Sequence, residues 1–483
     1  MGGGRRTLVI DPLATRGDDA RDAIVTSDGR VTTYGELAAR VTLGATRLAD
    51  ADLEPGAAVV IAARSPAAFC MAALAAWRRG LVVVPADPRA PEPAVASLAA
   101  RAGASAVLTD GDDGAPFSIA LHVKDRRAHD PDLALLLSTS GSSAAPKLVA
   151  LATEGVLANV HAILAYLPVA DAPRTAVLLP LSYSYGLVGQ VLTTLFAGGT
   201  LLLLGDVAFA SKQVERMRGL SADGLSTVPT QLRSIMRALE EDGATSPLAY
   251  VANAGAAWDA ETRARAKACF PRARLFNQYG LTEASPRVTA VSDREEPFAR
   301  GSVGRPIAGM SVRAVDESGV EVPAGTLGEL EVRGPSVMRG YLDDEEATAR
   351  ALSGGWLRTG DAGHVDEQGY VWVAGRRDGV VKCAGERVSV EEIAAALRGA
   401  AGGAELSVVA IDHEELGAEL WAFVEGPEAL VKDLRRAAVA TLAPPKRPAH
   451  VVAIAALPRT ANGKVAVGEL RAEATKRRAA RTR

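Results

Sequence analysis

At 483 residues the chain exceeds what one ordinary hydrophobic core accommodates, so two or more domains are expected. Its 48% apolar and 23% charged content is that of a globular protein. A net charge of −3 supplies no field for a polyanion and excludes a general nucleic-acid binder, the basic run 476–483 reading as a solvated tail.

In chain order, the opening Met-Gly-Gly-Gly-Arg-Arg lacks the apolar stretch of a signal peptide, and Arg6 stands where a myristoylation signal requires Ser or Thr. A cytoplasmic protein without membrane attachment is expected. Residues 33–49 place Tyr34, Leu37, Val41 and Leu48 along one side of a helix. A strand over 57–62, a helix over 67–79 and a strand over 81–85 follow. This alternation predicts parallel sheets wound with helices. Residues 185–204 have the length of a membrane span, but Gln190, Thr193, Thr194 and Gly198-Gly199 divide them into a buried helix and a strand. From 301 to 374 short β-rich runs (311–315, 328–332, 370–373) between Gly, Pro and Asp turns predict a small β-barrel or meander. Beyond the charged patch 375–379 come a helix (390–397), a strand (406–411) and a further strand–helix pair ending near Leu442, an α+β unit. The boundary is placed at Asp378, giving domains 1–378 and 379–483.

Cys70, Cys269 and Cys383 stand far apart and the six histidines do not cluster, so neither a disulfide frame nor a thiolate metal site is expected. His-Glu-x-x-His and Gly-x-Ser-x-Gly are absent, which removes support for a zincin or an α/β-hydrolase. The most informative segment is Thr139-Ser140-Gly141-Ser142-Ser143-Ala144-Ala145-Pro146-Lys147, an apolar strand running into small hydroxyl residues closed by one lysine. Its backbone N–H groups and hydroxyls suit a phosphate, although a plain Ser/Gly-rich turn reads the same way. It is not a Walker A loop, since Lys147 precedes Leu148, and Gly141 alone cannot make a dinucleotide fingerprint.

Four later segments carry further chemistry: Asn277-Gln278-Tyr279-Gly280-Leu281-Thr282-Glu283; Trp356-Leu357-Arg358-Thr359-Gly360-Asp361; Gly375-Arg376-Arg377-Asp378 with Lys382 and Gly385; and Leu457-Pro458-Arg459-Thr460-Ala461-Asn462-Gly463-Lys464. In this order, together with Thr33-Tyr34-Gly35-Glu36-Leu37, Gly328-Glu329-Leu330, Gly340-Tyr341 and Pro444-Pro445-Lys446, they closely resemble the adenylate-forming superfamily. That superfamily includes acyl-CoA and aryl-CoA synthetases, nonribosomal-peptide adenylation domains and luciferase. The resemblance spans nearly the whole chain. It implies an α/β fold with a large N-terminal domain of two wound αβ sheets plus a small β-barrel, and a small mobile α+β C-terminal domain.

It also implies roles, position by position. The loop Thr139, Ser140, Gly141, Ser142, Ser143 and Lys147 would hold the β- and γ-phosphates of ATP. Thr282 would touch the α-phosphate and Glu283 the Mg2+ ion. Tyr279 would stack on adenine, with Ala254, Gly255 and Ala256 on its other side and Asn277, Gln278 and Gly280 completing the wall. Asp361 would accept from the ribose hydroxyls, Arg376 would lie near ribose and phosphate, and Lys464 would bridge the attacking carboxylate and the α-phosphate. Asp378 would be the hinge, bringing 382–387 toward the site for a thiol acceptor, coenzyme A or the phosphopantetheine of a carrier protein.

The chain departs from the common loop at Ser142, Ser143, Ala144 and Leu148, and Tyr183 stands where a gating histidine often sits. No acidic residue occurs between Asp171 and Asp206 to pair with a substrate ammonium, so an aryl or acyl acid is expected rather than an α-amino acid. Its pocket would involve Tyr183, Tyr185, Thr230, Asn253, Ala256, Ala257 and Gln278. Two alternatives stay open: a ligase with another acceptor or anion (amide formation, or nitrite activation for an amine), and a catalytically silent nucleotide-binding homologue.

Overall fold

A computed structural model of the chain describes residues 9–112, 115–121, 127–138, 147–255, 258–377, 380–383, 386–413, 417–442, 446–459 and 465–481. The expected phosphate loop 139–146, Ala256, Ala257, the hinge Asp378 and Lys464 lie outside the described residues. By the density of internal contacts the chain divides into two compact units: Met1–Val312, Glu331–Arg358 and Gln368–Val371 form one, and Arg313–Leu330, Thr359–Glu367 and Trp372–Arg483 the other.

The first unit holds two wound sheets. The seven-stranded sheet runs Gly340–Tyr341, Leu148–Ala152, Leu133–Ser138, Val82–Pro85, Ala58–Ile61, Ala106–Thr109, Ser118–Leu121, parallel at its centre. The nine-stranded sheet runs Arg305–Pro306, Arg287–Ser292, Arg274–Gly280, Tyr250–Asn253, Gly224–Thr227, Arg174–Val177, Thr200–Leu203, Asp22–Thr26, Val31–Thr33, and its six middle strands are parallel. Central strands are apolar on both faces because helices cover both. Val59 and Ile61 enter the cluster shared with helices Tyr34–Asp50 and Pro66–Arg78, while Ala58 and Val60 enter a cluster on the opposite face. Leu201 and Leu203 of the second sheet join that same shared cluster, so one helical layer fills the space between the sheets.

Local chemistry sets the helix starts. Thr33 Oγ1 accepts from the Glu36 backbone N–H at 3.2 Å and Glu36 Oε2 accepts from Thr33 at 2.9 Å, a reciprocal capping box that opens helix Tyr34–Asp50. The apolar run 185–204 breaks where its sequence suggests. A π-helical turn Leu187–Leu192 leads into helix Thr193–Ala197, Gly198 turns the chain at φ 75°, and strand Thr200–Leu203 follows. Among the described residues no helix is long and apolar enough to cross a membrane.

Residues 311–376 supply a five-stranded sheet ordered Ser311–Val315, Gly328–Arg333, Trp356–Val365, Leu352–Ser353, with Val371–Arg376 beside Trp356–Val365. Further along the second unit lie the hairpin Val380–Cys383/Glu386–Ser389 and a three-stranded sheet, Leu406–His413, Gly417–Glu425, His450–Ile454. Alternation divides that sheet's two faces. Val408, Leu420 and Ala422 pack with helices Val390–Leu397 and Ala429–Thr441, whereas Val409, Trp421 and Phe423 pack with Leu470 and Ala474 of helix Val467–Arg481.

Candidate active site

Parallel pairing in the nine-stranded sheet ends together at Thr227, Asn253 and Asn277, which are register partners across Gly224–Thr227, Tyr250–Asn253 and Arg274–Gly280. The carboxyl ends of such strands are where wound sheets bind ligands. Asn277 is committed to the scaffold, its Nδ2 donating to the Ser302 carbonyl at 2.8 Å. Asn253 is fully buried, and among the described residues neither atom of its amide finds a hydrogen-bond partner. A buried amide left this way costs about 1–3 kcal/mol per unmet group, so it marks a position that a bound molecule completes. Ala254 beside it is buried, and exposed Gly255 takes φ 92°, a left-handed conformation that favours glycine.

Strand Arg274–Gly280 delivers half-buried Tyr279 to the same edge, and a single 3-10 turn then presents Thr282 and Glu283. Gly280 must be glycine for spatial reasons, since a Cβ there would stand 1.9 Å from the Pro286 carbonyl oxygen. Glu283 accepts a hydrogen bond from the Tyr341 hydroxyl at 3.0 Å on Oε1. The Tyr341 ring lies 4.7 Å from Lys147 Nζ, whose carboxylate neighbour is Asp344 at 4.0 Å. Pairing of Gly340–Tyr341 with Ala150 and Val149 holds this grouping. Thus the lysine that closes the loop and the carboxylate of the 277–283 segment meet on one aromatic ring. Tyr341 is absent from the site residues the sequence singles out, although its Gly-Tyr pair is visible there.

A second grouping concerns the expected acyl pocket. The Tyr185 hydroxyl donates to Gln278 Oε1 at 3.4 Å, and Gln278 Nε2 donates to the Tyr166 hydroxyl at 2.7 Å. Burial raises the pKa of both phenols, against the opposing pull of the Arg287 charge. The Arg287 guanidinium carbon stands 4.4 Å from the centre of the Tyr185 ring. Tyr183 and Thr230 are exposed, and among the described residues no hydrogen bond of theirs joins this grouping. Tyr166 and Arg287 escape motif reading; the one available signal is an arginine standing at the head of the apolar strand pattern Val288-Thr289-Ala290-Val291.

In the second unit Gly360 turns at φ 69° and sets Asp361 on strand Trp356–Val365. Arg376 Nη1 donates to Asp361 Oδ1 at 3.1 Å and to the Thr359 carbonyl at 3.0 Å, so two residues 15 positions apart are brought into one ion pair. Arg377 pairs with the buried carboxylate of Glu329 at 2.7 Å. Among the described residues no group of three or more His, Cys, Asp or Glu side chains converges on a metal position.

Comparison with known proteins matches the AMP-binding enzyme family model over residues 14–342 and the AMP-binding enzyme C-terminal domain over 392–464. Feruloyl-CoA synthase of Amycolatopsis sp is 29% identical over 466 residues, 92% of this chain and 94% of that protein. Indoleacetate–CoA ligase of Aromatoleum aromaticum is 33% identical, over 70% of this chain and 66% of that protein. The chain aligns with 65% of the length of a probable CoA ligase of Humulus lupulus and 61% of a 4-coumarate–CoA ligase-like protein of Oryza sativa. Among solved structures, ATP-bound MatB from Rhodopseudomonas palustris superposes with a TM-score of 0.82 at 26% identity, covering 96% of this chain and 99% of that one. The amide bond synthetase McbA from Marinactinospora thermotolerans gives 0.80 at 25% identity, covering 94% and 97%.

Proposed function

Because the chain belongs to the AMP-binding enzyme family of the adenylate-forming superfamily, we propose that it activates a carboxylic acid with ATP as an acyl-adenylate and passes the acyl group to a thiol. The observation that carries this reading is the meeting of Lys147 and Glu283 on Tyr341, together with a strand end where the Asn253 amide is unmet among the described residues. A cation and a carboxylate placed together suit a polyphosphate with its Mg2+ ion. One carboxylate, with phosphate oxygens and water filling the shell, is a normal donor set for Mg2+, and half-buried Glu283 fits it. Bound there, the ion would neutralise charge as pyrophosphate departs.

In the first half-reaction a carboxylate oxygen attacks the α-phosphorus, the bond from that phosphorus to the bridging oxygen breaks, and pyrophosphate leaves. Two anions must approach, so positioning and cations supply most of the acceleration. Lys147 would hold the departing phosphates, Thr282 the α-phosphate, Tyr279 the adenine, and Asp361 with Arg376 the ribose. Lys464 would bridge the two reacting groups. In the second half-reaction a thiol attacks the acyl carbon, the bond from that carbon to the phosphate oxygen breaks, and AMP leaves while the thiol proton passes to solvent. Residues 379–483 would act as the mobile lid, turning about Asp378.

An aryl or acyl acid is favoured over an α-amino acid. No acidic residue lies between Asp171 and Asp206, and relatives named for feruloyl and indoleacetate acids are similar over most of the chain. Coenzyme A is the acceptor that these named relatives suggest, and a carrier-protein thiol has the same chemistry. The likeness to an amide bond synthetase makes an amine the second reading.

The experiment is pyrophosphate release over a panel of acids, nitrite included, with and without coenzyme A, products being identified by mass spectrometry. Lys464→Ala is expected to lose adenylate formation by at least 100-fold, on the scale of removing one transition-state electrostatic contact, while still binding ATP. Unchanged release in that variant would refute the role given to Lys464. Absence of release with every acid would favour the silent homologue.

A further inference from the structure

We propose that the acid activated here carries a second carboxylate and that Arg287 receives it, an inference that rests on the adenylation reading above. Arg287 is 3% exposed. Its backbone is pinned, since Asn159 Nδ2 donates to the Arg287 carbonyl at 2.8 Å and the Arg287 N–H donates to Asn159 Oδ1 at 3.1 Å. The guanidinium is therefore delivered to a fixed place over the Tyr185 ring.

Among the described residues that guanidinium has no carboxylate within ion-pair distance, and its buried Nε has no hydrogen-bond partner. The titratable groups facing it are the hydroxyls of Tyr166 and Tyr185, both kept protonated by burial. Stacking on one ring and hydrogen bonding with these two neutral hydroxyls return only part of what desolvating an arginine without a carboxylate partner costs. A buried cation in that position is a receptor awaiting an anion.

The surrounding donors narrow the anion's chemistry. The Tyr166 hydroxyl accepts from Gln278 Nε2, which leaves its own proton to donate. With the planar fork of Arg287 this makes a set of donors and no acceptor charge, the arrangement that suits two carboxylate oxygens together. Tyr185 and Gln278 belong to the expected acyl pocket, so the receptor addresses the acid's non-reacting end rather than its adenylated one.

The test compares matched acids on the full chain: butanoate with glutarate, hexanoate with adipate, and 4-methylbenzoate with terephthalate. At least one diacid is expected to exceed its monoacid tenfold in kcat/KM for pyrophosphate release. Arg287→Met is expected to reverse that preference, changing the ratio at least 100-fold, and Arg287→Lys to restore part of it. Without ATP, the favoured diacid should raise the melting temperature of the wild type and not of Arg287→Met, whose own melt reports whether it folds. Monoacid preference in all three pairs in the wild type, or equal loss for both acids in Arg287→Met, would overturn the proposal and leave adenylation standing. No release with any acid would overturn adenylation itself, and the proposal with it.

Discussion

Replacing Tyr341 with phenylalanine removes one hydroxyl and keeps the ring. The lost contact is the 3.0 Å hydrogen bond to Glu283 Oε1, while the ring face 4.7 Å from Lys147 Nζ survives. A hydrogen bond to a charged acceptor contributes about 1.5–3 kcal/mol when buried. Tyr341 and Glu283 are both half-buried, so water replaces part of the loss and the lower end applies. About 1.4 kcal/mol is a factor of roughly ten in rate. Tyr341→Phe is therefore expected to lower kcat/KM for ATP about tenfold and to raise the Mg2+ concentration giving half-maximal rate, because the carboxylate is less firmly oriented. Tyr341→Ala, which also strips the ring from Lys147, should fall further. The assay is pyrophosphate release at fixed ATP and acid while Mg2+ is varied. A Mg2+ titration of Tyr341→Phe that overlays the wild type would refute the coupling of Tyr341 to Glu283.

Three further outcomes test the scaffold. Gly280→Ala would place a methyl group 1.9 Å from the Pro286 carbonyl oxygen; overpacking against backbone costs about 1–3 kcal/mol, so its urea midpoint should drop, with weaker ATP use as Tyr279 and Thr282 shift, and a wild-type midpoint would show that the strand end yields freely. Burial pushes the Cys70 thiol from 9.0, and the Tyr34 phenol from 10.0, up to about 12. Above pH 9 the unfolded chain releases these protons before the folded one, so folding stability should decline between pH 9 and 12. Urea midpoints at pH 8 and pH 10.5 check the sign, and a midpoint that rises with pH would contradict it. Native Cys70 should also resist thiol reagents at pH 8 and react only after unfolding.

Sequence periodicity located most elements because the physics there is local. The capping pair Thr33 and Glu36 starts a helix one residue after the predicted first position, and Gly198 ends another where the apolar run could have been mistaken for a span. Motif order singled out Asn277 to Glu283, and the fold carries them on the end of strand Arg274–Gly280 and the 3-10 turn after it. What local pattern cannot supply is which distant side chains meet. Tyr185 reaches Gln278 across 93 positions and Tyr341 reaches Glu283 across 58, through sheet pairings that no single window encodes. Arg287 was legible only as a charge out of place in an apolar strand; that no carboxylate among the described residues pairs with it emerges once neighbours from other strands are known.

The central claim is reversible adenylation, and acid-dependent exchange of labelled pyrophosphate into ATP tests it most directly, since exchange requires an acyl-adenylate and no acceptor. With a substrate acid and Mg2+, label is expected to enter ATP, to vanish when the acid is omitted, and to vanish in Lys464→Ala. Label entering ATP equally without acid, or failing to enter with every acid that the protein binds, would contradict the account.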